Sequence, residues 1–162
     1  MKDGEAVRAG GPDVEFRPFR DTDLPAIHAI ERRTFPTPWP LDQFAGLLGR
    51  TAGLGWVAAI PGGPVVGYAV GWVASDEAEL ANLAVARTCR GRGLGEGLVR
   101  AFAAEAGIRG ARRLYLEVRV SNVRARRFYE RLGLAAVARR KGYYRNPRED
   151  ALALAVDLPL SG

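Results

Sequence analysis

The sequence of 162 residues holds one cysteine, Cys89, one histidine, His28, and one methionine. A single cysteine excludes an intrachain disulfide framework, and one His with one Cys cannot assemble the usual zinc ligand sets, so no metal site is expected. Lysine is nearly as scarce, since all but Lys2 and Lys141 of the 24 basic residues are arginine. The longest uncharged stretch, Thr51–Ser75, is interrupted by Pro61-Gly62-Gly63-Pro64. That is the punctuation of a turn between two strands and not of a spanning helix. Residues 1–13 mix Lys2 with Asp3 and Glu5 and lack an apolar core, so they read as a short flexible tail and not as a signal peptide. A single domain over residues 14–162 and a cytoplasmic setting, with no membrane partner, are the expectation.

What is present is the composition of a soluble globular protein, 48% hydrophobic and 26% charged. A chain of this length buries roughly 70% of the surface its unfolded form exposes. The net charge of +6 is unevenly spread, because 17 of the 24 basic residues fall between positions 87 and 148. A basic half of this kind suits a phosphate-bearing ligand or an acidic partner such as RNA; the alternative is an arginine-rich solvated surface.

Along the chain, Val14–Phe19 alternates as a first strand, and Asp21 or Thr22 can cap a helix carrying Leu24, Ile27, Ile30 and Phe35. Leu41–Leu48 restarts a short helix after the proline-rich break. Trp56–Ile60 and Val65–Ala74 form a hairpin, and Glu79–Val85 a further strand. A helix follows the glycine segment, with Leu98, Phe102, Ala106 and Ile108 as its apolar side. Arg113–Val120 reads as a strand. Asn122–Leu132 reads as a helix ended by Gly133 in a left-handed cap. Leu134–Arg139 and Ala151–Leu158 complete the set as strands joined by a polar, tyrosine-bearing loop. The fold class is α/β (mixed α+β): one domain around a mixed, mostly antiparallel sheet of about seven strands flanked by about four helices.

Two constellations carry chemistry. Arg90-Gly91-Arg92-Gly93-Leu94-Gly95 lies between a strand and a helix. Glycines let backbone approach a ligand closely, and the first helical turn presents unpaired N–H groups and a dipole that favours an anion such as a diphosphate. It matches neither the Walker loop, since Lys-Ser/Thr is absent, nor the dinucleotide fingerprint. The same glycines could serve only tight packing. The second constellation joins Glu117, projecting from the strand face opposite Leu116 and Val118, to Tyr129 on the next helix. They could act as base and acid, or form a Glu117–Arg119 ion pair beside a packed tyrosine. His28 lies at helical spacing among apolar residues and reads as structural, and Cys89 stands in no nucleophile motif.

In their order, Phe35-Pro36-Thr37-Pro38-Trp39, Glu77–Val85, Arg90–Gly95, Leu116-Glu117-Val118-Arg119-Val120-Ser121-Asn122, Phe128–Gly133, Tyr143-Tyr144 and Glu149-Asp150-Ala151 carry a resemblance. The chain resembles the GNAT acetyltransferase superfamily over about residues 14–158, and within it the RimI-type N-terminal acetyltransferases of a small-subunit ribosomal protein. The resemblance implies acetyl-CoA as cosubstrate, no metal, and a protein N-terminus as acceptor, with nucleic acid an improbable partner. It implies that the backbone of Leu83, Ala84 and Val85 holds the pantetheine and thioester. Arg90, Gly91, Arg92, Gly93, Leu94, Gly95 and Glu96 then surround the pyrophosphate, and Asn122 adds a cofactor contact. Glu117 is implied as general base and Tyr129 as the acid for the departing thiolate, while Pro38, Trp39, Tyr143 and Tyr144 bracket the acceptor peptide. Acetylation of another amine, or a non-catalytic RNA-binding module, are the competing readings. Four departures from the family pattern stand out: Ala86-Arg87 in place of a proline, Pro40 in place of a capping serine, Phe128 in place of the common leucine, and the arginines Arg124, Arg126 and Arg127.

Overall fold

The computed structural model describes residues 13–162. The tail expected over residues 1–13 lies outside the described residues, except for Asp13. Seven strands make one sheet: β1 (Glu15–Pro18), β2 (Gly53–Ala59), β3 (Val65–Ala74), β4 (Glu77–Val85), β5 (Arg113–Arg119), β6 (Ala135–Arg145) and β7 (Arg148–Asp157). Their spatial order is β1-β2-β3-β4-β5-β7-β6. Every neighbouring pair is antiparallel except β4 and β5. Four α-helices flank it: α1 (Leu24–Thr34), α2 (Leu41–Leu48), α3 (Leu94–Ile108) and α4 (Val123–Arg131).

The period-2 pattern of the strands divides the interior into two cores. Leu114, Leu116 and Val118 of β5 join Leu98, Val99, Phe102 and Ala106 of α3 on one side of the sheet. On the other, Val57, Tyr68 and Val70 meet Ile27 and Ile30 of α1 and Phe44 and Leu47 of α2. Ile108, read as part of the apolar side of α3, is instead 81% exposed. The buried stripe steps by four through Leu98, Phe102 and Ala106, and position 108 lies about 200° further round the helix at 100° per residue.

Local chemistry sets the element ends. Neither Asp21 nor Thr22 caps the first helix as expected: both lie in a short 3-10 turn, and the buried Asp23 stands at the N-cap position. Its carboxylate receives both terminal nitrogens of Arg17 at 2.8 Å and the Arg20 N–H at 2.8 Å. The Asn122 Oδ1 accepts the Ala125 N–H at 3.1 Å and caps α4. Gly133, at φ 95°, ends that helix as its sequence position implied. Gly133 N–H donates to the Glu130 carbonyl at 3.0 Å and Leu134 N–H to that of Tyr129 at 3.1 Å, the paired bonds of a Schellman stop. Pro40 starts α2 without a side-chain cap.

Of the four irregularities in the pairing of the sheet, two shape the site. In β4, Asn82 pairs with Val70 and Leu80 with Gly71, leaving Ala81 as an extra residue. This bulge reverses the facing of the strand: Ala78 and Leu80 join the α3 core, whereas Ala84 beyond the bulge joins the α1 core. Gly71 is the partner that makes the bulge possible, because a Cβ there would lie 1.8 Å from the Glu79 carbonyl oxygen. The second irregularity corrects the expected tyrosine-bearing loop. Residues 135–145 are one strand, with Tyr144 paired to Glu149 and Arg145 to Arg148. Three residues, Lys141, Gly142 and Tyr143, stand opposite Asp150 alone. The Asp150 carboxylate fills the gap by accepting the Gly142 N–H at 3.0 Å and Arg139 Nε at 2.8 Å.

Gly71→Ala is expected to destabilise the fold by about 3 kcal/mol, the upper part of the range for forcing extra volume into a packed interior. Urea unfolding followed by circular dichroism measures it.

Candidate active site

Strands β4 and β5 are paired only at Glu77–Arg113, Ala78–Leu114 and Glu79–Tyr115. Beyond Glu79 they part, and β5 is held from its other side by β7 along its whole length. The bottom of the resulting cleft is flanked by carboxylates from both strands. Glu117 leans out of the face opposite Leu116 and Val118, as expected, but its partner is Arg140 of β6, with Arg140 Nε 2.8 Å from Glu117 Oε1. The same-face pair with Arg119 does not form. Arg119 bonds to Glu149 at 3.4 Å and lies 4.2 Å over the ring of Tyr144.

Arg140 reaches Glu117 across the intervening strand because β7 alternates small and large residues. Ala151, Ala153 and Ala155 register with Arg119, Glu117 and Tyr115, while Leu152 and Leu154 pack toward α3. The alanines are a low floor over which β6 side chains cross to β5. Tyr143 arrives by the same route. Its phenol is pushed up, first by a hydrogen bond with Glu117 and then by burial and by the negative charge of Glu117. Tyr144 is pushed up to about 12, by burial and then by Glu117. Tyr129 is raised as well, chiefly by burial and secondarily by Tyr144, which ties it to the same group; its ring meets Phe128 edge-on at 5.0 Å.

Glu79 completes this cluster. Trp72 Nε1 donates to its carboxylate at 3.1 Å. Burial and then the charge of Glu117 raise its pKa, against the opposing pull of Trp72 and Arg140. Glu79 and Arg140 were not singled out from sequence. The signal for Glu79 was present in its place on a strand between Ala78 and Leu80. Arg140 carried none, since its role depends on pairing between strands remote in sequence.

The glycine segment sits at the far end of β4. Gly91 and Gly93 both have φ 77°, and nothing stands within 4 Å of a Cβ built at either. Gly93 begins α3 without any side-chain cap, which leaves the N–H groups of the first turn free to face a ligand. Leu94 is buried in the core, Glu96 pairs with Arg100 at 3.0 Å, and Arg92 is exposed. Arg90 Nε donates to the Val85 carbonyl at 3.0 Å and so fastens the loop to the end of β4. Leu83 and Val85 are half-buried, and Ala84 is buried.

Pro38 and Trp39 lie in the α1–α2 loop and belong to a different group. Trp39 packs on Phe44 with ring centroids 5.2 Å apart, and its N–H donates to Glu31 Oε1 at 3.1 Å. Among the described residues no cluster of three or more His, Cys, Asp or Glu could hold a metal ion, and no helix is long and apolar enough to cross a membrane.

The acetyltransferase (GNAT) family model matches residues 24–134, a span that holds both the split between β4 and β5 and the uncapped glycine turn. The chain belongs to this family. It is an acetyl-CoA-dependent N-acetyltransferase with the GNAT fold. It is 38% identical over 142 residues to the [ribosomal protein bS18]-alanine N-acetyltransferase of Escherichia coli K12, covering 86% of this chain and 93% of that one. An uncharacterized N-acetyltransferase of Methanocaldococcus jannaschii is 37% identical over 145 residues, 89% and 92% of the two chains. The crystal structure of the Escherichia coli ribosomal-protein-S18-alanine N-acetyltransferase superposes with a TM-score of 0.82, covering 92% and 96%. The bare backbone at Gly91, Gly93 and the first turn of α3 is chemically suited to a diphosphate.

The raised pKa of Glu79 means that the folded protein binds its proton more tightly than the unfolded chain does. Stability therefore falls as pH rises from the ordinary carboxylate range through the folded value. Glu79→Gln is expected to raise Tm at pH 7, and the gain should disappear well below pH 4, where both states are protonated. Thermal unfolding at a series of pH values checks this.

Proposed function

We propose that the protein acetylates the N-terminal α-amine of another protein, one beginning with alanine or serine, with a small-subunit ribosomal protein as the acceptor in the cytoplasm. The observation that carries the proposal is the Glu117 group: a carboxylate at the cleft, gripped by Arg140 and faced by Tyr143, on a chain so similar to the Escherichia coli alanine N-acetyltransferase.

Acetyl-CoA supplies an activated acetyl thioester, and transfer is direct, in a ternary complex. The backbone of Leu83, Ala84 and Val85 borders the parted strands and holds the extended arm. Gly91 through Glu96 receive the pyrophosphate on backbone N–H groups, with Arg90 and Arg92 near it, and Asn122 adds a further cofactor contact. Pro38 and Trp39 on one side and Tyr143 and Tyr144 on the other bracket the acceptor peptide.

An α-ammonium has a reference pKa near ~8, against ~10.4 for a lysine side chain, so removing its proton at neutral pH is a modest task. Glu117 takes that proton, and Arg140 fixes the direction in which its carboxylate points. The Tyr129 phenol is protonated at neutral pH, its pKa raised further by burial, so it enters the reaction as a donor at Oη. As the new C–N bond forms and the C–S bond breaks, the phenol proton goes to the departing thiolate and the second proton of the attacking nitrogen restores the phenol.

The test is acetyl transfer followed by mass spectrometry on an Ala-starting ribosomal N-terminal peptide, the same peptide blocked at its α-amine but carrying a free lysine, and a polyamine. Acetylation confined to the free α-amine is expected; transfer to lysine or polyamine instead would sink the ribosomal reading. On the productive peptide, Glu117→Gln is expected to lower kcat by about 10²-fold or more, as loss of a positioned base does. Tyr129→Phe with unchanged kcat would remove Tyr129 from the role of acid.

A further inference from the structure

Glu31 is 1% exposed, and none of the ion pairs among the described residues involves it. Every group that meets its carboxylate is a neutral donor. Tyr68 of β3 donates its hydroxyl to Oε2. Asn82 of β4 donates Nδ2 to both oxygens at 2.8 Å, and the Trp39 N–H of the α1–α2 loop donates to Oε1 at 3.1 Å. Burying a carboxylate among neutral partners is unfavourable relative to an apolar side chain of similar size, so the fold alone gives little reason for an acid at this position. What the acid achieves is a junction. Asn82 is the first residue beyond the bulge at Ala81, turned toward α1 by it, and it directly precedes Leu83. Trp39 is the loop residue that flanks the acceptor.

We infer that Glu31 is a positioning residue that fixes the acceptor-peptide loop relative to the cofactor strand, its carboxylate receiving the Trp39 N–H and the Asn82 amide at once. This rests on the reading of Trp39 as lining the acceptor and of Leu83–Val85 as holding acetyl-CoA. Glu31 touches no reacting atom. An apolar or neutral replacement leaves both parts present but out of register, which penalises a reaction whose geometry tolerates only small misplacement.

Tyr68 separates this role from a merely structural one. It donates to the same carboxylate, yet it belongs neither to the acceptor loop nor to β4. Three variants, Glu31→Gln, Asn82→Ala and Tyr68→Phe, are compared with wild type. The readouts are Tm, acetyl-CoA Kd by calorimetry without peptide, and peptide KM and kcat at saturating acetyl-CoA. Expected for Glu31→Gln is a peptide KM raised about tenfold or more with acetyl-CoA Kd changed by less than about threefold. Asn82→Ala should shift peptide KM in the same direction and supplies the measurement if Glu31→Gln does not fold. Tyr68→Phe should lower Tm while leaving peptide KM within about twofold. Peptide KM unchanged in Glu31→Gln, or in Asn82→Ala where that variant stands in, overturns the inference, as does an equal rise in all three. Wild type that fails to acetylate any peptide α-amine, while still binding acetyl-CoA, overturns the acceptor reading itself and this inference with it.

Discussion

Two parallel strands that stop pairing after Glu79 are the constraint on which the rest of the structure depends. Interrupted pairing leaves backbone donors and acceptors that the sheet does not satisfy, and such groups are kept from collapsing onto one another only if each strand is anchored elsewhere. Here β5 is anchored by β7 from Arg113 to Arg119, and β4 by β3 on its far side. The bulge at Ala81 and the opposing Gly71 sit within the β3–β4 anchor, so the cleft is a property of the sheet and not of a movable loop.

The charges around the cleft are arranged by the same sheet. Glu79 and Glu117 come from the two parting strands, and the alanine floor of β7 admits Arg140 and Tyr143 from the strand beyond. The arginine excess in residues 87–148 is therefore partly taken up in ion pairs and hydrogen bonds. Arg119, Arg139 and Arg140 hold the hairpin and its carboxylates together, and Arg126 donates to the Val120 carbonyl at 2.9 Å. Arg124, Arg127 and Arg131 are exposed on α4 and belong to the solvated part of the excess.

Much of this architecture is legible in the sequence. Alternation of Leu114, Leu116 and Val118 places Glu117 on the opposite face, Gly133 announces the end of α4, and the glycine turn before α3 lies where its spacing puts it. Features that depend on register are not legible. The bulges at Ala81 and at Lys141–Tyr143 each arise from a pairing between two strands, so no local pattern marks them, and the tyrosine pair consequently reads as a loop. Arg140 finds Glu117 only once β7 is placed between them. Glu31 does leave a trace, as a charged residue four positions after Ile27 on the buried stripe of α1. An acid on an apolar face is a signal of a buried polar junction.

The outer borders of the sheet bear on how the protein coexists with copies of itself. A strand at a sheet border offers unpaired backbone to any passing chain, and long flat borders nucleate aggregates. β1 limits the hazard by being four residues long. β6 cannot, since it runs for eleven residues with nearly every one exposed. Instead it carries Arg139, Arg140 and Lys141 in succession and is bent by irregularities at Val137 and at Lys141–Tyr143. The distortion that turns Tyr143 onto Glu117 thus also spoils the border as a template, so chemistry and colloidal solubility draw on one deformation of the backbone.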